Sequence, residues 1–230
     1  MKALLLAAGF GTRLRPLTDT TPKCLVPIKG KPLLEIWLER LQEAGINDFL
    51  INTHYLSKQV ESFINSSKYK SQVQLVFESE LLGTAGTLSA NLDFFDNDDG
   101  LFIHADNYCL GDLVAFIDAH RHRPPNCLMT MMTFRSENPA SCGIVEIDAQ
   151  NIVRGFHEKV SNPPSNLANG AVYILSNEML NKIIQNFSHV NDFSTGILPH
   201  FIGKIYTYET HEVFMDIGTP KTYIAANNLP

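Results

Sequence analysis

Apolar residues in the first half of the chain fall alternately into short unbroken runs and helical stripes. Residues 3–8, ALLLAA, are an unbroken run ended by Gly9, which predicts a buried strand. In KPLLEIWLERLQEAG, the residues Leu33, Leu34, Trp37, Leu38, Leu41 and Ala44 share one helical stripe, with Pro32 near its start and Gly45 as its stop. DFLINTH (48–54), VQLVF (73–77) and LFIHA (101–105) read as further strands, the last stopping at Asp106. Helical segments open between and after them at Ser57, at Thr84 and near the cap residue Asp112. Strands alternating with helices predict an α/β fold, a doubly wound and mostly parallel sheet covered on both faces, with ligands at the carboxyl ends of the strands.

After residue 125 the pattern changes. CLMTMMTF, GIVEI, NIVRGF, NGAVYIL and KIYTYE are strand-like and separated by turn residues, and helices are predicted over 177–186 and 193–201. The chain therefore reads as a single domain over 1–230, with an α/β part (1–125) and a β-rich part (126–230) packed on it to complete the pocket.

Composition narrows the function. At 230 residues the chain can bury a sizeable core, and 44% hydrophobic with 18% charged residues is ordinary for a globular protein. A net charge of −6 with no Lys/Arg cluster argues against nucleic acid as a partner, because backbone affinity needs many basic contacts. The four cysteines, Cys24, Cys109, Cys127 and Cys142, are too scattered for a zinc site or a disulfide framework, and a reducing cytoplasm is expected. No apolar run approaches the ~18 residues of a membrane span, so no membrane partner is expected. A homodimer is compatible with the sequence, which does not decide the point.

The chemistry is concentrated in GFGTR, residues 9–13. A Walker loop is excluded because G-x-x-x-x-G-K-[ST] is absent, and the dinucleotide fingerprint fails at Leu14, where it needs its third glycine. What remains is a strand, a turn with two glycines, and cations at Arg13, Arg15 and Lys23. Glycines let backbone N–H groups approach an anion, and fixed cations neutralise a polyphosphate. That suits a nucleoside triphosphate with a highly charged leaving group; taken alone, G-x-G-x-R fits a solvated surface turn equally well.

The longer stretch GFGTRLRPLTDTTPKCLVPIKGKPLLE resembles the signature of the sugar-1-phosphate nucleotidyltransferases, G-x-G-T-R-L-x-P-L-T-x-x-x-P-K-x-L-x-P-[VI]-x-x-K-P. The resemblance covers nearly the whole chain and implies a Rossmann-like nucleotidyltransferase fold, with 1–125 as the nucleotide-binding part and 126–230 as the sugar-phosphate-binding part. It also implies the reaction: a sugar phosphate oxygen attacks the α-phosphorus of a nucleoside triphosphate, and pyrophosphate leaves. By this resemblance Arg13 holds the β and γ phosphates, Lys23 supports the α-phosphate, and Leu6, Ala8, Gly9, Gly11 and Thr12 carry the base and phosphates. Asp106 and Asp216, the latter in DIGTP, correspond to the two aspartates that hold Mg2+.

ESELLGTAG (78–86) matches the base-reading loop, with Gly83, Thr84 and Gly86 as contacts, and its wording resembles guanylyl enzymes acting on manno-configured sugars. SCGIVEID, HEKV and NGAVYIL match the sugar-binding strands, which implies Gly143, Asn169 and Gly170 at the sugar, Glu158 on its hydroxyls and Lys159 on its phosphate. The pattern is departed from at Ala105, Cys24 and Val160, where Gly, Pro and Pro are commoner. GTP with mannose 1-phosphate or a D-glycero-manno-heptose 1-phosphate is the favoured pair, ahead of UTP with an amino-sugar 1-phosphate or dTTP with glucose 1-phosphate. A nucleotide-sugar sensor without turnover is a remoter reading, since Arg13, Lys23, Asp106 and Asp216 are all present. A D-x-D glycosyltransferase would want a second carboxylate where the chain has Asp106-Asn107-Tyr108. Outside the motifs, His120 and His122 are expected in solvent at a helix end, NDDG (97–100) as an acidic turn, Met131 in the core, and Tyr206 and Tyr208 on one strand face.

Overall fold

The computed structural model describes residues 1–229. In chain order its regular elements are β1 (Lys2–Leu6), β2 (Pro27–Ile28), β3 (Lys31–Pro32), α1 (Leu33–Glu43), β4 (Phe49–Thr53), α2 (Ser57–Ser66), β5 (Val73–Phe77), α3 (Gly83–Ala90) and β6 (Gly100–His104). They continue with β7 (Asn107–Cys109), α4 (Leu113–Arg121), β8 (Met129–Arg135), β9 (Gly143–Ile147), β10 (Val153–Glu158), β11 (Leu167–Leu175), α5 (Asn177–Asn186), α6 (Phe193–Gly196), β12 (Ile205–Glu209), β13 (Phe214–Asp216) and α7 (Pro220–Asn227). The fold is mixed α/β on a mostly parallel sheet, as the alternation predicts. Two compact units interleave along the sequence: one comprises residues 2–81, 103–110 and 213 onward, the other chiefly 82–102 and 111–212.

In the first unit β1 pairs in parallel with β4, and β4 with β5. The apolar runs behind these strands are fully buried at Ala3, Leu4, Leu5, Phe49 and Ile51. Helix α1 presents its stripe of Leu33, Leu34, Trp37, Leu38 and Leu41 to the core, each side chain adding about 1.5–3 kcal/mol of hydrophobic stabilisation. The carbonyl of Leu6, at the end of β1, accepts from Ala105 N at 3.1 Å and so aligns the ends of β1 and β6. An antiparallel pair that no sequence pattern announces, β7 with β13, sets Asp216 opposite Asn107. Thr219 then caps α7 with its side chain on Thr222 N, a reciprocal capping box.

In the second unit β11 is the hub: it pairs antiparallel with β8 and β9, while β12 adds to β8 in parallel and β10 to β9 antiparallel. Strand β8 is buried on both faces from Met129 to Thr133, so Met129 and Met132 join Met131 in the core. Phe102, Tyr173 and Phe193 pack ring against ring, with centroids 5.0 to 6.0 Å apart. Two expectations need correction. The helix predicted over 193–201 is a four-residue α-turn, α6, followed by a 3-10 turn at Leu198–Phe201: Gly196 weakens the helix, and Pro199 lacks an amide and disfavours the helical conformation at Leu198.

His120 is the second. It is 1% exposed, not solvated, with its ring nitrogens 2.8 Å from Thr130 Oγ1 and 3.1 Å from Asp99 Oδ2. Asp99, in the acidic turn, also accepts from Asn177 N at 2.8 Å. Burial is the largest influence on His120 and lowers its pKa, outweighing the Asp99 hydrogen bond that would raise it. The ring is therefore neutral at pH 7, donating from Nε2 to the carboxylate and accepting at Nδ1 from the Thr130 hydroxyl. His122, two residues on, is exposed as expected.

Candidate active site

The turn after β1 is built around Gly11. Its φ of +63° lies in the left-handed region, and a Cβ there would come within 2.9 Å of Thr18 Cγ2 and 3.2 Å of Lys23 Cβ, so only glycine fits. Gly11 O accepts from Leu14 N at 2.9 Å and from the buried Thr18 hydroxyl at 2.8 Å, fixing the short 3-10 turn Thr12–Leu14. Leu14 is buried as its anchor, while Thr12 and Arg13 face solvent. Ala8 is buried beneath the turn, and Gly9 is exposed with open space where a Cβ would sit.

Four charged side chains from three distant stretches meet beside this turn. Lys23 Nζ donates to Asp106 Oδ2 at 2.7 Å and to Asp216 Oδ1 at 3.3 Å, and Arg13 Nη2 lies 3.5 Å from Asp216 Oδ2. The ladder between β7 and β13, with Ile217 N donating to Asp106 O at 3.2 Å, brings the two carboxylates to one place. Gly218 is part of the arrangement: a Cβ there would lie 2.7 Å from Asp216 Oδ2 and 3.0 Å from Arg13 Nη2.

The Lys23 side chain is only 9% exposed, whereas those of Asp106 and Asp216 are 40% and 52% exposed. Burial would depress the Lys23 pKa, but the charges of Asp106 and Asp216 and their hydrogen bonds carry it above the ordinary lysine range. For Asp106 the desolvation that would raise its pKa is likewise overcome, chiefly by the Lys23 charge, and the carboxyl is held below its usual value. Both groups are thus charged at neutral pH. Cys24, next in sequence, is buried and its thiol is pushed up to about 12, which makes it inert.

Hard oxygen donors converging on one nitrogen suit a small divalent cation. Mg2+ is commonly bound through one or two carboxylates and completed by water and phosphate oxygens, which matches a pair more than a closed cage. Among the described residues no cluster of three or more His, Cys, Asp or Glu able to hold a metal occurs.

The other predicted residues lie in the second unit. Gly143 faces Glu158 across the β9–β10 ladder, and a Cβ at Gly143 would strike Glu158 Oε2 at 2.6 Å. Lys159 Nζ is 3.0 Å from Glu158 Oε1, with a side chain 66% exposed. Asn169 Nδ2 donates to Tyr173 Oη at 2.7 Å and its Oδ1 accepts from Ala171 N at 2.9 Å, beside the irregularity in β11 where Gly170 is buried. Gly83, at φ +77°, opens α3 against Asn191 O, which accepts from Ala85 N at 2.9 Å. A Cβ at Gly86 would come within 3.1 Å of Leu82 Cβ. The hydroxyl of Thr84 accepts from Phe193 N at 2.8 Å, so it is already engaged within the fold.

Sequence reasoning overlooked Gly218 and the residues that hold the turn from behind. Asn52 Oδ1 accepts from Ala7 N at 2.8 Å, and Asn52 Nδ2 donates to the buried Glu78 Oε1 at 2.9 Å. A signal existed: Asn52 is a buried amide inside an apolar strand, which requires a partner.

Among known proteins, the family model for nucleotidyl transferases matches residues 2–229. The mannose-1-phosphate guanyltransferase of Schizosaccharomyces pombe is 31% identical over all of this chain and 64% of its own length. The chain spans 62% to 66% of the length of the curated relatives it matches. Among solved structures, a candidate glucose-1-phosphate thymidylyltransferase of Bacillus anthracis, solved with sucrose, superposes with a TM-score of 0.88 at 23% identity, over 99% of this chain and 94% of that one. HddC of Yersinia pseudotuberculosis, complexed with GMP-PN, superposes with a TM-score of 0.81 at 27% identity, over 98% and 97%. No helix among the described residues is long and apolar enough to cross a membrane.

Proposed function

Because this chain belongs to the nucleotidyl transferase family, we propose that it transfers a nucleoside monophosphate from a nucleoside triphosphate to a sugar 1-phosphate, releasing pyrophosphate. The observation that carries this reading is Lys23, held between Asp106 and Asp216 with Arg13 alongside. In-line attack on an α-phosphorus builds charge on the α-phosphate and on the departing pyrophosphate, so catalysis rests on positioning and electrostatics. Arg13, exposed on a rigid turn, would hold the β and γ phosphates, with backbone amides near Gly9 and Gly11 aiding. Lys23, buried at its stem, would release the carboxylates and support the α-phosphate. Asp106 and Asp216 would hold Mg2+, which when bound neutralises phosphate oxygens and polarises the phosphorus. In the second unit Glu158 would accept from sugar hydroxyls and Lys159 would bind the sugar phosphate, with Gly143, Asn169 and Gly170 shaping the sugar side.

GTP with mannose 1-phosphate or a manno-heptose 1-phosphate is the proposed substrate pair, supported by the wording LGTAG and by a guanyltransferase relative that matches the whole chain. The thymidylyl enzyme shares the fold at an identity too low to bear on the base. Four free thiols suit a reducing cytoplasm as the site of action. A panel of GTP, UTP, dTTP, ATP and CTP against mannose, glucose and manno-heptose 1-phosphates, read as pyrophosphate release, tests the proposal. GTP should exceed every other triphosphate in kcat/KM by at least about 10-fold, the step that ~1.4 kcal/mol of discrimination supplies. Equal rates with all bases would defeat the guanylyl assignment, and tight nucleotide binding with no pyrophosphate from any pair would defeat the transferase.

A further inference from the structure

The segment leaving the carboxyl end of β4 grips the glycine turn along its length. Beyond the Asn52 bonds to Ala7 and Glu78, the His54 ring meets Phe10 edge-on with centroids 5.4 Å apart, and His54 Nδ1 donates to the Glu78 carbonyl at 2.8 Å. The Tyr55 ring lies 5.6 Å from Phe10, and its hydroxyl points to the carbonyls of Thr18 at 3.0 Å and Asp19 at 3.3 Å. Gln59 Nε2 completes the set on Thr20 O at 2.9 Å. Thr18 passes the restraint inward, since its hydroxyl donates to Gly11 O and Gly11 opens the turn that carries Arg13.

Two features make this more than ordinary packing. Phe10 sits between the two glycines and, though 43% exposed, sets its ring against both His54 and Tyr55. The contacts from Asn52 to Ala7 N, from Tyr55 to the Thr18 and Asp19 carbonyls and from Gln59 to the Thr20 carbonyl end on backbone, so they fix geometry without adding charge. A glycine-rich turn left loose would have to be ordered at the moment a ligand binds, whereas a tethered one is ordered on folding.

We propose that Tyr55 and Phe10 are positioning residues for the triphosphate. Tyr55 acts through Thr18 and Gly11, and Phe10 by locking its ring onto His54 and Tyr55, so that Arg13 and the turn amides face the phosphates before binding. This rests on reading the turn as the triphosphate cradle. It assigns a role on the nucleotide side to a segment, NTHY, that carries no charge pattern or motif of its own.

The test uses the full chain with Tyr55→Phe, which keeps the ring and removes one hydroxyl, with Phe10→Ala, and with Phe10→Tyr as the conservative variant. GTP affinity is measured by calorimetry in the presence of Mg2+, alongside KM for GTP and for the sugar phosphate, kcat, and the melting temperature. Tyr55→Phe should weaken GTP binding roughly 5-fold, the scale of one neutral hydrogen bond, and Phe10→Ala about 10-fold or more, the scale of its lost ring contacts. Phe10→Tyr should bind within twofold of the parent, and KM for the sugar phosphate should stay within about twofold throughout. Unchanged GTP affinity in both Tyr55→Phe and Phe10→Ala would overturn the positioning role while leaving the transferase reading intact. Equal losses for both substrates together with a fall in melting temperature would also overturn it, as a general structural effect. A parent that binds GTP but releases no pyrophosphate would sink the activity alone, since the calorimetric comparison still decides the positioning role.

Discussion

The two ends of the proposed reaction are built by different physics. On the phosphate side, Arg13, Lys23, Asp106 and Asp216 form one charged cluster whose contacts bridge 83, 193 and 203 residues of sequence. On the sugar side the groups are held locally, Lys159 by its neighbour Glu158 and Asn169 by Ala171 and Tyr173, whereas the base loop reaches across the sequence, through Thr84 to Phe193 N. Their shape comes from backbone conformation, with positive φ at Gly83, Lys159 and Ala171. A cluster of opposite charges drawn from distant segments cannot be rearranged by one substitution without leaving a charge unpaired, whereas a local turn can be reshaped by a neighbour. Under the proposed function, the phosphate side would encode the reaction class and the other side the choice of substrate.

The sharpest way to break this contrast is at the carboxylates. Asp106→Asn and Asp216→Asn should each lower kcat on the order of 100- to 1,000-fold with the fold retained, as steady-state rates and circular dichroism would show, because each removes charge from the transition state. Near-normal rates in both would dissolve the cluster as a catalytic unit. Lys159→Ala should act in a smaller way and on one substrate, raising KM for the sugar phosphate roughly 10-fold, the loss of one charge-assisted hydrogen bond, with KM for GTP unchanged. A defect confined to GTP would move this lysine to the phosphate side.

The smallest expected effect lies away from both ends. His120 is held neutral by burial, with its pKa below the ordinary histidine value, so the unfolded chain takes up a proton that the folded chain refuses as pH falls below about 6.5. Stability that this ring contributes is present above that pH and is lost as pH drops through the window toward its folded value. Asp99, held below its usual range by its hydrogen bond to His120, loses its own contribution at still lower pH. Chemical denaturation at pH 7.5 and 5.5 should show the decline, and His120→Gln should flatten it; an identical slope in the variant would place the titration elsewhere.

Much of the fold was legible because burial leaves a periodic trace. The runs ALLL and LFI and the stripe of α1 are such traces, and β1, β6 and α1 lie where they predict. The β7–β13 pair was not legible, since three residues on each side, separated by more than a hundred positions, have no period to read. His120 was misplaced for a related reason: its partners Asp99 and Thr130 are set by tertiary packing, while its own neighbours in HRHRPP are polar and suggest solvent. The meeting of Arg13, Lys23, Asp106 and Asp216 was legible through the resemblance of GTRL…PK and DIGTP. The Tyr55 tether was not, because its hydrogen bonds end on backbone carbonyls, which any residue supplies, and Asn52 signalled only that it needed a partner, not which one.

The central claim is that Asp106 and Asp216 act together on one cation at the triphosphate. The direct measurement is Mn2+ binding in the presence of a non-hydrolysable GTP analogue, read from the loss of the free-ion electron paramagnetic resonance signal in the parent, Asp106→Asn and Asp216→Asn. One ion per chain should bind to the parent, with affinity at least about 10-fold weaker in each variant, as expected when one of two charged ligands is neutralised. Parent-like Mn2+ affinity in both variants would contradict the account.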